Sequence, residues 1–382
     1  MRILFATPAY WPAVAFGGPT SMAKELTEAL VRRGNEVEVV TTSLRAIGEP
    51  PAARLHSTRS EVGGVKVEYL ATPLRYRWMG ITPGLPLRLA RAGRPDVVHV
   101  FGFRDVVTTV TAAWARARRI PYVFEPLDMV LPRYRNVPLK VAFDRALGDR
   151  VIGGAGVVVA NSSLERDELV AAGLRRDRIE TRPNGFPQPG EPVEGTLRRE
   201  VGLDAATPLV LNVGRVSFKK GLDLLLEAVA PLDGVHVAIV GPDDGDGTLR
   251  RLEALRDRLG LRDRVHLPGP TGDPAAAYAD ADVFALPSRN ESFGMVAAEA
   301  AAAGMPVVVT DRCGVAELLA GRGALVVPCE ADAIRGAIAR VLAEPELRAR
   351  LSAGGREVAR ATTWDAVAER QEALYRLALE RG

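Results

Sequence analysis

Short apolar runs alternate with longer stretches of helical period along the whole chain. In the first half the apolar runs fall at residues 3–6, 37–41, 65–70, 97–100, 122–124 and 157–160, and a helix is predicted over 21–33. In the second half they fall at 209–213, 235–240, 265–267, 283–286, 307–310 and 325–327. Strands alternating with helices in this way predict an α/β protein with parallel sheets. Residues 179–192 break the rhythm: TRPNGFPQPGEP has no period, is rich in proline and glycine, and reads as a hinge. With 382 residues, 47% of them hydrophobic, the chain can bury two cores. The pattern therefore predicts two doubly wound domains, 1–186 and 187–363. A last helix over 364–382 carries Val367, Leu374, Tyr375 and Leu377 on one helical period.

One stretch carries more than scaffold needs. Residues 289–304, RNESFGMVAAEAAAAG, read as a polar loop whose Gly294 opens an alanine-rich helix that stops at Gly304, just before Pro306. At the helix start the N–H groups of Phe293, Gly294, Met295 and Val296 form an anion site, and Gly294 lets a ligand approach the backbone. Ser292 sits at the edge of the same turn. Glu291 before the helix and Glu299 on it flank a phosphate there, placed to accept hydrogen bonds from sugar hydroxyls. The plainer alternative is an N-capped amphipathic helix with two solvated acids.

A second strand, loop and helix start carries the complementary charge. The run over 210–213 leads into Gly214, Arg215, Val216, Ser217, Phe218, Lys219, Lys220 and Gly221, then a helix over 222–229. Arg215 offers a planar fork for two phosphate oxygens, and Lys220 a compact charge on a flexible stem. Taken singly, such a loop is also an ordinary basic surface. In the first half, Gly17 and Gly18 occupy the loop after the first strand, where ligands of open parallel sheets gather, so the pair can approach the same diphosphate. A turn glycine without a ligand is the alternative.

The GR…KKG loop, followed by E-x7-E with SFG after the first acid, resembles the retaining glycosyltransferases of family 4, and the likeness extends over nearly the whole chain. The resemblance implies the GT-B fold: two Rossmann-like domains facing each other across a cleft, with the C-terminal helix packing back on the first. It also implies transfer of a sugar from a nucleoside-diphosphate donor to a hydroxyl of a glycan, lipid-linked or small-molecule acceptor, with no metal or other cofactor. In that scheme the departing diphosphate takes the acceptor proton on the same face. The protein's part is to stabilise the leaving group through Arg215, Lys220 and the N–H groups after Phe293, each such donor contributing on the order of 3 kcal/mol. Glu299 would hold the ribose hydroxyls and Glu291 those of the transferred sugar, with the base against the backbone of residues 266–269. A non-hydrolysing sugar-nucleotide epimerase of the same fold and an inactive sugar-nucleotide-binding protein are the other readings. The chain departs from the family in EPLDM: Leu127 stands where many relatives carry a His, so either Glu125 or Asp128 supplies the polar contact or the sugar is held differently. His99 is a poor substitute, since it lies on an earlier strand.

Charge and composition refine this picture. Residues 1–190 hold 27 Lys and Arg against 18 Asp and Glu, net +9, and the remainder 23 against 29, net −6, giving the formal +3 of the whole. The basic excess gathers around Arg75, Arg77, Arg88, Arg91, Arg94, Arg116, Arg118, Arg119, Arg133, Arg135 and Lys140, with Trp78 and Met79 among them. It suits a phosphorylated acceptor or anionic lipid headgroups, or is simply a solvated arginine-rich face. No nucleic-acid-binding module accompanies it. Two cysteines, Cys313 and Cys329, are too few for a disulfide framework. No uncharged run approaches the roughly 20 residues of a membrane span, so a cytoplasmic enzyme with peripheral contact to the inner membrane face is expected. Asp243, Asp244 and Asp246 resemble a metal triplet but sit between a strand end and a helix start, where acids suit the turn and the helix dipole. His56, His99, His236 and His266 share no ligand spacing.

Overall fold

The computed structural model describes residues 1–46, 49–76, 78–133, 136–188, 195–270 and 274–381. Two compact units emerge: Met1–Asn184 together with Trp364–Gly382, and Gly185–Thr363. The division therefore falls after Asn184, slightly ahead of the expected residue 186.

Among the described residues, ten strands belong to the first unit. They are β1 (Arg2–Ala6), β2 (Glu36–Thr42), β3 (Thr58–Val62), β4 (Val65–Leu70), β5 (Leu74–Tyr76), β6 (Met79–Ile81), β7 (Val97–Phe101), β8 (Tyr122–Glu125), β9 (Val157–Ala160) and β10 (Ile179–Thr181). Eight of them form one sheet in the order β10-β9-β8-β7-β1-β2-β4-β3, parallel except for β3 against β4. Its central strands are apolar without alternation, because helices cover both faces and every side chain is buried. The chain starts in the middle at β1, winds outward on one side, then returns to lay β7 against β1. That reversal opens a crevice at the carboxyl ends of β1 and β7.

Four strands escaped the apolar pattern. β3 is largely exposed and polar, an edge strand whose charges discourage further pairing. β5 and β6 form a separate antiparallel pair. β10 corrects the reading of 179–192 as hinge throughout: it pairs with β9, and Arg182, Asn184 and Phe186 beyond it are fully buried. Pro189–Pro192 of the expected hinge, and Arg77 and Arg135 of the basic cluster, lie outside the described residues.

The second unit follows the predicted pattern closely. Its strands β11 (Leu209–Val213), β12 (His236–Val240), β13 (Val265–Gly269), β14 (Val283–Leu286), β15 (Val307–Thr310) and β16 (Ala324–Val327) form an all-parallel sheet in the order β13-β12-β11-β14-β15-β16. Here the chain reverses between β11 and β14.

The C-terminal helix Trp364–Arg381 is part of the first unit. Arg33 and Asn35 donate to Glu372, and the Tyr375 hydroxyl lies 2.8 Å from His99 Nδ1 in the buried sheet. His99 is one corner of a closed polar cluster. Arg182 donates to Glu125 at 2.6 Å, and His99 Nε2 faces the other Glu125 oxygen across 3.3 Å, with Arg182 and Glu125 essentially inaccessible. Burial opposes the Glu125 charge, but Arg182 and His99 hold its carboxyl below the usual range, while burial pushes His99 down toward the neutral form. Among the described residues no helix is long and apolar enough to cross a membrane.

All four tryptophans, Trp11, Trp78, Trp114 and Trp364, lie in the first unit, so their fluorescence reports on it alone. Removing one partner of a buried pair leaves the other charge unpaired. Arg182→Ala is expected to destabilise the first unit by about 3–5 kcal/mol in urea denaturation followed by that fluorescence. A change under about 1 kcal/mol would show that Glu125 does not depend on Arg182.

Candidate active site

Two loops at the reversal point of the second sheet carry the predicted chemistry. The first leaves β11 and runs from Gly214 to Gly221; the second leaves β14 and runs from Pro287 to Gly294. Glycine is required where they touch. Gly221, at φ +64°, starts the helix Leu222–Val229, and a Cβ there would meet Pro287 O at 2.1 Å. Gly241, at φ +151°, ends β12 so close to Gly214 that a Cβ would lie 2.0 Å from its carbonyl.

Arg289 laces the two loops. Its guanidinium takes Asp223 at 2.7 and 2.8 Å and lies over the Phe218 ring at 4.4 Å, and the Arg289 backbone N–H donates to Lys219 O. Beneath the second loop, Arg312 O accepts the Glu291 N–H, Glu291 O accepts from Gly314, and Phe293 O accepts from Val315. Phe293 is itself buried, edge-on to Phe186. Phe293 and Met295 are thus packing side chains, and only their backbone can face a ligand. Gly294, at φ +102°, then opens the helix Met295–Ala303, which Gly304 ends in the left-handed conformation, as predicted.

Charge converges at this point. Lys220 Nζ lies 2.7 Å and Lys219 Nζ 3.8 Å from Glu291 Oε1, with Glu291 mostly shielded from water. Burial would raise the Glu291 carboxyl, yet Lys219, Lys220 and Arg215 bring it down to about 2. Glu299 goes the other way: burial raises it, against the Tyr278 hydroxyl that donates to it at 3.0 Å and the charge of Lys220. Arg215 is paired with Asp244 at 2.6 Å. The neighbouring acids serve the turn, Asp243 accepting from Gly245 N–H and Asp246 from Thr248 and Phe218 N–H.

In the first unit, Gly17 precedes the helix Gly18–Arg32 with φ +83° and open space where a Cβ would sit. Glu125 is withdrawn as a candidate contact: it is fully buried, and its charge is spent on Arg182 and His99. Asp128, in the turn after β8, keeps 11% of its side chain accessible and lies 3.6 Å from Arg133, and both Leu127 and Asp128 have left-handed backbone, φ +55° and +62°.

Comparison with known proteins agrees with this geometry. Residues 17–185 match the family described as "Glycosyl transferase 4-like domain", and residues 193–358 match "Glycosyl transferases group 1". A D-inositol 3-phosphate glycosyltransferase from Xylanimonas cellulosilytica is 34% identical over 96% of this chain and 93% of its own. The chain belongs to this glycosyltransferase family. Another relative of the same description, from Thermomonospora curvata, is 32% identical over 94% of this chain and 90% of its own. Among solved structures, sucrose-phosphate synthase from Thermosynechococcus elongatus superposes with TM-score 0.75 at 23% identity over the full length of both chains. The catalytic domain of starch synthase IV from Arabidopsis thaliana gives 0.78 at 16% identity over 99% of each. The fold is GT-B, and the protein is an enzyme that transfers a sugar from a nucleotide-sugar donor.

Three residues of the candidate site gave no sequence signal. Tyr278 lies in an alanine run, and nothing in it announces a hydroxyl aimed at Glu299, 21 residues on. Arg289 and Asp223 look like surface charges until the fold brings them together. Asp244 drew attention only as part of a metal-like triplet.

Glu291 links the site to stability. Its folded carboxyl is depressed from 4.5 to about 2, so its stabilisation is complete above 4.5 and is lost as pH falls through about 2. The stability gap between the parent enzyme and Glu291→Gln should narrow by about 3 kcal/mol between pH 6 and pH 2, read by hydrogen exchange in the helix Leu222–Val229. A gap independent of pH would mean that the lysines do not hold the carboxylate.

Proposed function

We propose that this glycosyltransferase moves a glycosyl group, with retention, from a nucleoside-diphosphate sugar to a hydroxyl of a small phosphorylated polyol. The carrying observation is the meeting of Lys220, Lys219 and Arg215 with Glu291 at the reversal of the second sheet. Three cations against two carboxylates, Glu291 and Asp244, leave a net positive charge for an anion, and a helix start adjoins them. Arg215 and Lys220 take the diphosphate, assisted by the N–H groups of Phe293, Gly294 and Met295 and by Ser292. As the bond from the anomeric carbon to the diphosphate oxygen breaks, the acceptor oxygen bonds to that carbon and its proton passes to the departing oxygen. Developing negative charge on the leaving group is what the cations stabilise. Glu291, held ionised, accepts hydrogen bonds from the hydroxyls of the transferred sugar, and Glu299, steadied by Tyr278, takes the ribose. In the first unit, Gly17 and Gly18 are the proposed backbone contacts to the donor and Asp128 the proposed polar contact to the acceptor.

The acceptor class rests on the relatives' names, which specify D-inositol 3-phosphate, and on the basic balance of the first 190 residues. A lipid-linked acceptor at an anionic membrane is the second reading, favoured by Leu74 and Tyr76 exposed on β5 and by Leu139 exposed beside Lys140.

Thermal stabilisation by UDP, GDP, ADP and dTDP tests the donor assignment: at 100 times its dissociation constant the right nucleotide stabilises by about 2.7 kcal/mol. None of the four stabilising the protein would overturn it. Lys220→Ala and Arg215→Ala should each weaken that diphosphate about 10–100-fold and the monophosphate far less, since their charge serves the terminal phosphate. Glu299→Ala should weaken the nucleotide itself, and Glu291→Ala chiefly the sugar-bearing donor; calorimetry giving the reverse would exchange the two acids. For the membrane reading, anionic vesicles should bind the parent at low salt and release it as salt rises, with Arg75→Gln and Arg118→Gln weakening the binding. Absence of binding at low salt would leave the soluble polyol.

A further inference from the structure

The turn after β8 is strained and yet firmly held. Leu127 and Asp128 both have positive φ, and neither is glycine. Asp tolerates that conformation, but Leu does not, so surrounding structure has to impose it. One residue is placed to do so. Glu165, buried in the first turn of the helix Ser163–Ala171, accepts the Asp128 N–H at 2.7 Å on one carboxylate oxygen. Its other oxygen accepts the Asn161 N–H at 2.8 Å and the Asn161 side-chain amide at 3.2 Å. An acid at this position of a helix ordinarily reaches back to the N–H of the capping residue, here Ser162. Glu165 reaches past it to tie the end of β9 to the turn after β8. At the other end of the turn, Glu125 is fixed by Arg182 and His99.

We infer that Glu165 is a positioning residue for the reaction: its carboxylate sets the Leu127–Asp128 turn and so the placement of Asp128. The inference rests on the reading of Asp128 as an acceptor-side contact. Global stability does not account for the residue. Burial lifts its carboxyl from 4.5 to about 7, against the Asn161 and Asp128 N–H groups and with the Asp128 charge adding to the rise. The folded form therefore holds a proton that the unfolded chain gives up, and stability falls as pH rises from 4.5 to about 7. What the ionised form supplies is local, an acceptor for every N–H aimed at it. Protonation turns one oxygen into a donor facing an N–H, which loosens the turn. Asp128 is the charged group that bears on Glu165; Arg133 stands 3.6 Å from Asp128 and 2.9 Å from Glu168 on the same helix as Glu165.

Two measurements on the full chain test this. By hydrogen exchange corrected for intrinsic rates, the segment 125–133 of the parent should be about tenfold better protected at pH 8 than at pH 6. In Glu165→Gln it should be poorly protected at both, with the helix Leu222–Val229 unchanged. Equal protection in parent and variant at both pH values would overturn the inference. With UDP-glucose and D-inositol 3-phosphate as probes, Glu165→Gln should raise the acceptor KM about tenfold, leave kcat and the donor KM within twofold, and lose the parent's fall in kcat/KM below about pH 7. Asp128→Asn separates the two claims. If it raises the acceptor KM while Glu165→Gln does not, the inference fails and the acceptor-side reading stands. If Asp128→Asn is silent while Glu165→Gln still loosens the segment, the acceptor-side reading fails.

Discussion

A site for a diphosphate has to concentrate positive charge in a place shielded from water, and that charge needs a counter-ion before the ligand arrives. Lys220 against Glu291 at 2.7 Å meets this constraint. A buried pair of this kind contributes little net stability, because desolvation of both ions offsets most of their attraction. Its use is electrostatic. Glu291 gives the lysines a counter-charge, and the lysines keep Glu291 ionised and therefore purely a hydrogen-bond acceptor. Arg215 is treated alike by Asp244, at the more exposed margin. On the proposed reading, a phosphate group entering here would exchange partners among charges already in place, so little side-chain ordering would remain to be done on binding.

The rest of the second unit makes that pair geometrically possible. Gly241 and Gly221 remove side chains where strand ends and loops pass within contact of one another's carbonyls. Arg289 then joins the loops with one guanidinium, using both its edge and its face. Two glutamates on one short segment consequently have opposite environments. Glu291 sits among cations and is driven down; Glu299 sits behind Tyr278 with Lys220 only as a distant influence and is driven up. Identical side chains thereby acquire different chemistry from their surroundings alone.

What could be read from the sequence follows from which interactions are local. Strands buried on both faces, such as β7 and β11, declare themselves as unbroken apolar runs, and loops with Gly-Arg or Lys-Lys-Gly declare charge beside conformational freedom. Edge strands have no such signature: β3 is polar because it faces water, and β10 is three residues long in a proline-flanked run. Long-range pairing is invisible for another reason. Glu125 invites a reading as a substrate contact because it ends a strand, but Arg182, 57 positions later, turns inward and claims it. Tyr278 and Glu165 are likewise defined by partners that only the folded topology brings near.

The first unit answers a different problem with the same economy of charge. The carboxyl edge of its sheet has a turn with two consecutive left-handed residues, and a backbone in that conformation relaxes unless both ends are pinned. Buried carboxylates pin it: Glu125 stays charged because Arg182 lies beside it, while among the described residues the partners of the Glu165 carboxylate are N–H groups, and burial lifts it to about 7. An apolar anchor could pack as well but could not accept the Asp128 N–H. An arginine partner for Glu165 would lower its carboxyl but would compete for the oxygens that now hold the turn. The raised carboxyl is therefore the physical consequence of burial, which the N–H groups of Asp128 and Asn161 offset only in part and to which the Asp128 charge adds.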